Sequence, residues 1–205
     1  MEKLKVILNR SIGKVYVPKH IRNRSEEVIL HISDTPYSFF YALKDLIKKI
    51  NPEYIIHTGD LVDNIKLEFC HYSLYRYSKR LEVLVDILLK SNAKKIYICL
   101  GNHDKKEALQ NISDKIEIID KSENINIENL KLRISHYSDE IIKDPQEYNL
   151  YGHNLHIKNK IENGKIYLNG IQSINIIYTD IKKVEYLAYP FGIDDERLRK
   201  GKIGL

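Results

Sequence analysis

The chain has 205 residues, 43% of them hydrophobic and 30% charged, which suits one domain, 1–205, with a sizeable core. Its formal charge of +5 is dispersed apart from the basic run at 197–202, so it steers anionic substrates but is too small to establish nucleic-acid binding. The longest apolar runs are strand-sized and broken by charge, and the Met-Glu-Lys-Leu-Lys start lacks the apolar centre of a leader, so no membrane span or signal peptide is expected and the cytoplasm is the expected compartment.

Taken in chain order, residues 3–9 and 14–17 read as a hairpin around Ser11-Ile12-Gly13, and 19–25 as a basic connector, so 1–26 is an N-terminal hairpin and connector. A strand at 28–32 follows. Residues 37–50 place Phe39, Phe40, Leu43, Leu46, Ile47 and Ile50 at helical spacing before Asn51-Pro52 ends the run. After a strand at 54–57, residues 67–91 carry Leu74, Tyr77, Leu81, Leu84, Val85 and Leu88 on one face, giving a second crossover helix into a strand at 95–100. Strands alternating with helices imply a largely parallel sheet.

The second half has shorter strands, at 116–119, 130–135 and 149–151. Segments 157–161 and 165–168 flank Asn163-Gly164, a two-residue hairpin signal. Two more strands follow at 174–178 and 183–188, and 190–205 reads as a docked or frayed tail. The pattern is α/β with an antiparallel second half. Cys70, in the second helix, and Cys99, in a buried strand, read as reduced core residues.

Chemistry is concentrated where strands end. Ser33-Asp34-Thr35, Gly59-Asp60-Leu61-Val62-Asp63, Gly101-Asn102-His103-Asp104, His136 and Gly152-His153-Asn154-Leu155-His156 each follow a strand, so all project from one sheet edge, where open α/β sheets bind ligands. Carboxylates, an amide oxygen and imidazoles gathered there suit divalent metals.

In this order the motifs resemble those of the calcineurin-like metallophosphoesterases, over about residues 27–170. The resemblance implies a four-layer αββα sandwich of two mixed sheets flanked by helices. It also implies metal-dependent hydrolysis of a phosphomonoester or phosphodiester by a metal-activated hydroxide between two ions about 3.5–4 Å apart. Asp60 matches the bridging ligand, and Asn102, His136 and His153 complete one metal site with it. Asp34 and Asp60 serve the other site, which is poor here: the family has Asp-x-His and Gly-His-x-His where this chain has Pro36 and Leu155. One tight ion and a second weaker one are therefore expected, with Mn, Fe, Zn and Ni all open. His156 substitutes as a ligand only through a bulge, since a one-residue offset in extended chain reverses the side chain.

His103 matches the family's leaving-group acid. Asp63 matches the position that orients it, and Asp104 is a weaker candidate. His31 and His57, three residues ahead of Asp34 and Asp60, read as packed core histidines. His20 and His71 have no motif context. Asp139, Glu140 and Asp144 read as surface charges, and Tyr72, Tyr75 and Tyr77 as half-buried helix residues. The expected partner is an anionic phosphate ester, with a nucleotide or nucleic acid among the candidates and no membrane; the oligomeric state stays open. A second class of function is a degenerate fold serving as a metal-stabilised binding scaffold. Pro36 and Leu155 favour the scaffold, and His103 with Asp63 favours the enzyme.

Overall fold

The computed structural model describes residues 1–109 and 112–198. A helix, Glu2–Ser11 (α1), and a single helical turn, Lys19–Arg22 (α2), precede the first core strand, Val28–Ile32 (β1). Helix Phe40–Ile50 (α3) crosses to Tyr54–His57 (β2), and Leu74–Leu89 (α4) crosses to Lys95–Cys99 (β3). Strands Ile116–Ile119 (β4), Ser122–Ile127 (β5) and Leu130–Ser135 (β6) come next. Helix Ser138–Lys143 (α5) then leads to Tyr148–Tyr151 (β7) and the hairpin Lys160–Glu162 (β8) with Lys165–Asn169 (β9). Ile174–Tyr178 (β10), Val184–Leu187 (β11) and helix Ile193–Leu198 (α6) complete the described chain.

The six-stranded sheet runs β11-β10-β1-β2-β3-β4 and the five-stranded sheet β5-β6-β7-β9-β8. β1 to β4 are mutually parallel, while β10 and β11 add antiparallel strands at the β1 edge. All five residues of β1 are buried, as expected for a strand covered on both faces. One face packs on α3 and α4 through Leu30, Ile55, Ile96, Leu43, Leu46 and Leu84. The other meets the second sheet through Ile29, Ile56 and Cys99 against Leu132, Ile134 and Leu150. With α5 beside β6 and β7, this is the four-layer αββα sandwich expected.

Helix α3 follows its sequence closely. Phe40, Leu43, Leu46, Ile47 and Ile50 are buried at i, i+3 and i+4 spacing. It stops at Asn51, whose left-handed backbone (φ 48°) lets its N–H return to the Ile47 carbonyl at 2.7 Å, and Pro52 follows. At the β8–β9 turn, Asn163 and Gly164 both adopt positive φ, 51° and 73°, the pattern of a type I′ hairpin.

Four expectations change. Residues 2–11 are helical rather than half of a hairpin, because Leu4, Ile7 and Leu8 follow the helical period, with Glu2 in the first turn and Arg10 in the last. The second half is not simply antiparallel: β6–β7 and β7–β9 are parallel, since α5 and the loop after Gly152 carry the chain back across the sheet. Strand β5 lies in a polar stretch and pairs antiparallel with β6. The tail contains a helix, α6, with Ile193 and Arg197 buried; residues 199–205, including most of the basic run, lie outside the described residues. No helix among the described residues is long and apolar enough to cross a membrane.

Candidate metal centre

Because β1, β2 and β3 are parallel, the loops after Ile32, His57 and Cys99 emerge side by side. β6 and β7 bring His136 and Gly152 to the same place from the second sheet, where the Gly152 N–H meets the His136 carbonyl at 3.1 Å. The turns are tight enough to force left-handed backbone at three candidate ligands, Asp34 (φ 50°), Asp60 (φ 54°) and His153 (φ 66°). Such conformations cost about 1–3 kcal/mol each and persist where the surroundings over-determine them.

Those surroundings are specific. The Asp104 carboxylate accepts hydrogen bonds from the N–H groups of Asp60 (2.7 Å), Leu61 (2.9 Å) and Gly101 (2.9 Å) and from the Tyr77 hydroxyl (2.8 Å). It thus joins the loops after β2 and β3, and it bonds those groups rather than His103. Gly101 is required beside it, because any Cβ there would run into the Asp60 carboxylate. Between loops, His57 accepts the Gly59 N–H at Nδ1 (3.2 Å) and donates from Nε2 to the Thr35 hydroxyl (3.0 Å), which donates to the Leu61 carbonyl (2.7 Å). His31 lies between Asn175 and the Thr58 hydroxyl at 2.9 and 3.0 Å. Burial holds both imidazoles neutral, at about 3. They are buried histidines, as the sequence suggests, and their bonds hold the loops that carry Asp34 and Asp60.

Around the pocket, buried Asp60 and His136 meet half-buried Asn102 and exposed His153. His136 donates from Nδ1 to the Thr58 carbonyl (2.7 Å), which leaves its Nε2 facing the pocket. That Nε2 faces Asn102 Oδ1 at 3.3 Å, His153 Nδ1 at 3.2 Å and Asp60 Oδ2 at 3.6 Å. The amide oxygen cannot donate, and a single proton shared among these groups satisfies at most one of the approaches. The ligand atoms of Asp60, His136 and His153 lie within 4.8 Å of one another, as do those of Asp60, Asp63 and His103. Convergent lone pairs of this kind call for a cation.

The electrostatics agree. Burial, then repulsion from Asp34, Asp63 and Asp104, raises the Asp60 carboxyl well above the ordinary range. Asp63 is pushed up to about 6 by burial and by Asp34, against the opposing pull of Lys66. His103 is pushed down to about 3 by burial, then by Lys66 and the His136 and His153 imidazoles. His153 is lowered by burial and His136. A divalent cation would relieve both trends, favouring ionised carboxylates and binding neutral imidazoles. The residues on the His136 side therefore fit a divalent metal by donor chemistry.

The site residues read from sequence divide into two groups. Asp34, Asp60, Asp63, His103, His153 and His156 all line one cavity of about 240 Å³, and Asn102 and His136 adjoin it through the contacts above. His156 is exposed, its N–H bonded to Asn154 Oδ1 (2.9 Å), and among the described residues it joins neither group of converging ligands. Asp34 bonds to the Ser33 hydroxyl (2.5 Å) and the His153 N–H (3.2 Å). Asp63 bonds to Lys66 rather than to His103.

Three neighbours escaped the sequence reading. Glu68 accepts from Asn102 Nδ2 (2.5 Å), which fixes the amide so that Oδ1 faces His136, and its oxygen lies 3.8 Å from His103 Nδ1. Lys66 enters the cavity beside Asp63. Arg197, 3% exposed, donates to the carbonyls of Ser33 (3.1 Å), Asp34 (2.8 Å) and Ile171 (2.8 Å). Lys66 and Glu68 lie in the turn segment ahead of α4, which begins at Leu74 and not at the expected residue 67, and Arg197 lies in a segment read as tail. Exposure differs too: Tyr72 and Tyr75 are 80% and 76% exposed, whereas Tyr77 is buried.

The calcineurin-like phosphoesterase family model matches residues 28–196, and the chain belongs to that family. Among solved structures, the chain is similar to an archaeal phosphodiesterase, at 21% identity over 78% of this chain and 98% of that one, with a TM-score of 0.57. It is also similar to Yfce, a phosphoesterase from E. coli, at 13% identity over 80% and 99% of the two chains, with a TM-score of 0.54. At these identities the likeness establishes the fold. A comparison with curated proteins finds no match. Membership of the family implies divalent metals, for which the converging residues above are the candidates.

Proposed function

We propose that the protein is a metal-dependent phosphoesterase acting on a phosphomonoester or phosphodiester. The observation that carries this reading is the convergence of Asp60, Asn102 and His153 on Nε2 of His136, beside His103. Asp60, Asn102, His136 and His153 would hold a divalent ion. Such an ion supplies an acidified water and withdraws charge from phosphoryl oxygens.

The chain's own groups do the rest. Thr58 fixes the His136 tautomer and Glu68 fixes the Asn102 amide, so both present acceptors to the ion. The His103 N–H donates to Asp60 Oδ1 (3.0 Å), tying the acid's position to that of the central carboxylate. Burial and Lys66 favour neutral His103 in the empty site; the negative charge of a bound ester would pull the other way and favour the imidazolium that the acid role requires. From there it protonates the leaving oxygen, with Glu68 as the carboxylate nearest its Nδ1.

The test is hydrolysis of an aryl phosphate and an aryl phosphodiester by metal-free and Mn²⁺-loaded protein. Metal-dependent release from either ester supports the reading. Metal binding without hydrolysis of any ester would leave the scaffold role instead.

A further inference from the structure

The Asp34 side of the cavity does not offer what a second ion needs. Position 36 is a proline in extended conformation (φ −70°, ψ 154°), position 155 is leucine, and His156 is exposed and outside both converging groups. What remains there is the oxygens of Asp34, Asp60 and Asp63, and the one converging group on this side, Asp60 with Asp63 and His103, takes its imidazole from the residue assigned as the acid. A cation is nevertheless present. Lys66 pairs with Asp63 Oδ1, its side chain 14% exposed and that of Asp63 2%. Desolvating an ammonium is costly unless nearby charge repays it, and this cavity supplies three carboxylates. Asp63 is the sole hydrogen-bond partner of Lys66 Nζ among the described residues, so an ammonium with three donors keeps others for a ligand. Arg197, which also lines the cavity, is already engaged by Asp194 (2.7 Å) and by backbone carbonyls.

Charge makes the same point. Asp34, Asp60 and Asp63 carry three negative charges, which one divalent ion plus Lys66 neutralises. Two divalent ions with the ammonium would leave two positive charges in excess.

We infer that this is a one-metal centre in which the Lys66 ammonium stands in place of the second ion and donates to the phosphoryl oxygens of the substrate. The inference rests on the phosphoesterase reading and gives it a particular substrate clamp: one divalent ion on the His136 side, one fixed ammonium on the Asp34 side. The ammonium neutralises phosphoryl charge but has no empty orbital to acidify water. The attacking water therefore belongs to the Asp60–His136 side.

The experiment counts Mn²⁺ per chain by calorimetric titration with elemental analysis, for the wild type, Lys66→Met and Lys66→Arg, with thermal melts to confirm folding. One ion is expected in the wild type and in Lys66→Arg. Two are expected in Lys66→Met, since Asp63 then loses its ammonium and its oxygen is released beside Asp60, with which its ligand atoms already converge. With one ion per chain, inorganic phosphate should bind Lys66→Met about 10- to 100-fold more weakly than wild type, as for a lost charge-assisted hydrogen bond. Should Lys66→Met melt below the assay temperature, Lys66→Gln carries the same expectation. A wild type with two equally tight ions overturns the inference, as does a folded neutral variant that still binds one ion and holds phosphate unchanged. A wild type that binds no ion defeats the phosphoesterase reading itself.

Discussion

The two sides of the cavity share Asp60 and differ in almost everything else. On the His136 side, two imidazoles, an amide oxygen and a carboxylate converge, and groups behind His136, Asn102 and Asp60 orient three of the four. On the Asp34 side, carboxylates face a lysine; the Ser33 hydroxyl and the His153 N–H hold the Asp34 carboxylate, and the other supports hold backbone: Arg197 grips the Ser33 and Asp34 carbonyls, and Thr35 accepts the Asp63 N–H at its carbonyl (3.1 Å). A fixed imidazole and a fixed amide facing one point distinguish a side built to bind an ion from one where carboxylates meet an ammonium. That contrast also explains how a family fold tolerates Pro36 and Leu155 without losing its loops.

The comparison breaks most completely at the shared residue. Asp60→Asn removes the one carboxylate common to both sides, and it should abolish tight metal binding and reduce hydrolysis to background. Elemental analysis of the purified variant, read beside its turnover, is the check. Undiminished metal would mean that the imidazoles hold the ion without it.

His103 separates chemistry from binding on the intact side. His103→Ala should keep its metal and its melting temperature while turnover falls roughly 10²- to 10⁴-fold, the usual range for a lost general acid. The loss should shrink for esters with acidic leaving groups. Equal losses across a leaving-group series would remove His103 from that role.

Glu68 probes the support behind a ligand. Glu68→Ala frees the Asn102 amide to rotate and should weaken Mn²⁺ about 10- to 100-fold, the range for lost partners of metal ligands. An unchanged titration would show that Asn102 needs no such brace. The smallest effect is expected at Pro36. Pro36→His restores an imidazole but leaves Lys66 in place, so the count of bound ions should stay at one; only Pro36→His combined with Lys66→Met should hold a second ion tightly. A second tight ion in the single variant would show that the missing ligand, not the lysine, limits that side.

Much of this was legible in the chain because ligand motifs follow strands, and strands betray themselves by apolar runs. Although His136 and His153 come from the second sheet rather than from the same edge, Asp34, Asp60, Asn102, His103, His136 and His153 could all be placed at strand ends from order alone. Their support could not. Asp104, Glu68, Lys66 and Arg197 act through contacts between residues 34 to 163 positions apart, or through a turn of irregular chain, and no local period encodes such pairs. The helical spacing of Leu4, Ile7 and Leu8 was present but short, and Gly13 drew the reading towards a turn. Strand β5 hid for the opposite reason: on an edge with one face exposed, its Ser-Glu-Asn-Ile-Asn-Ile sequence has only two apolar residues to reveal it.

The central claim is that a single ion sits between Asp60 and the His136–His153 pair. The most direct measurement is an anomalous difference map from a crystal soaked in Mn²⁺ and collected at an energy where manganese scatters anomalously. The account predicts one strong peak within coordination distance of Asp60 Oδ2, Asn102 Oδ1, His136 Nε2 and His153 Nδ1, with the Lys66 ammonium still on Asp63. A peak of equal height between Asp34 and Asp63, with Lys66 displaced, would contradict it.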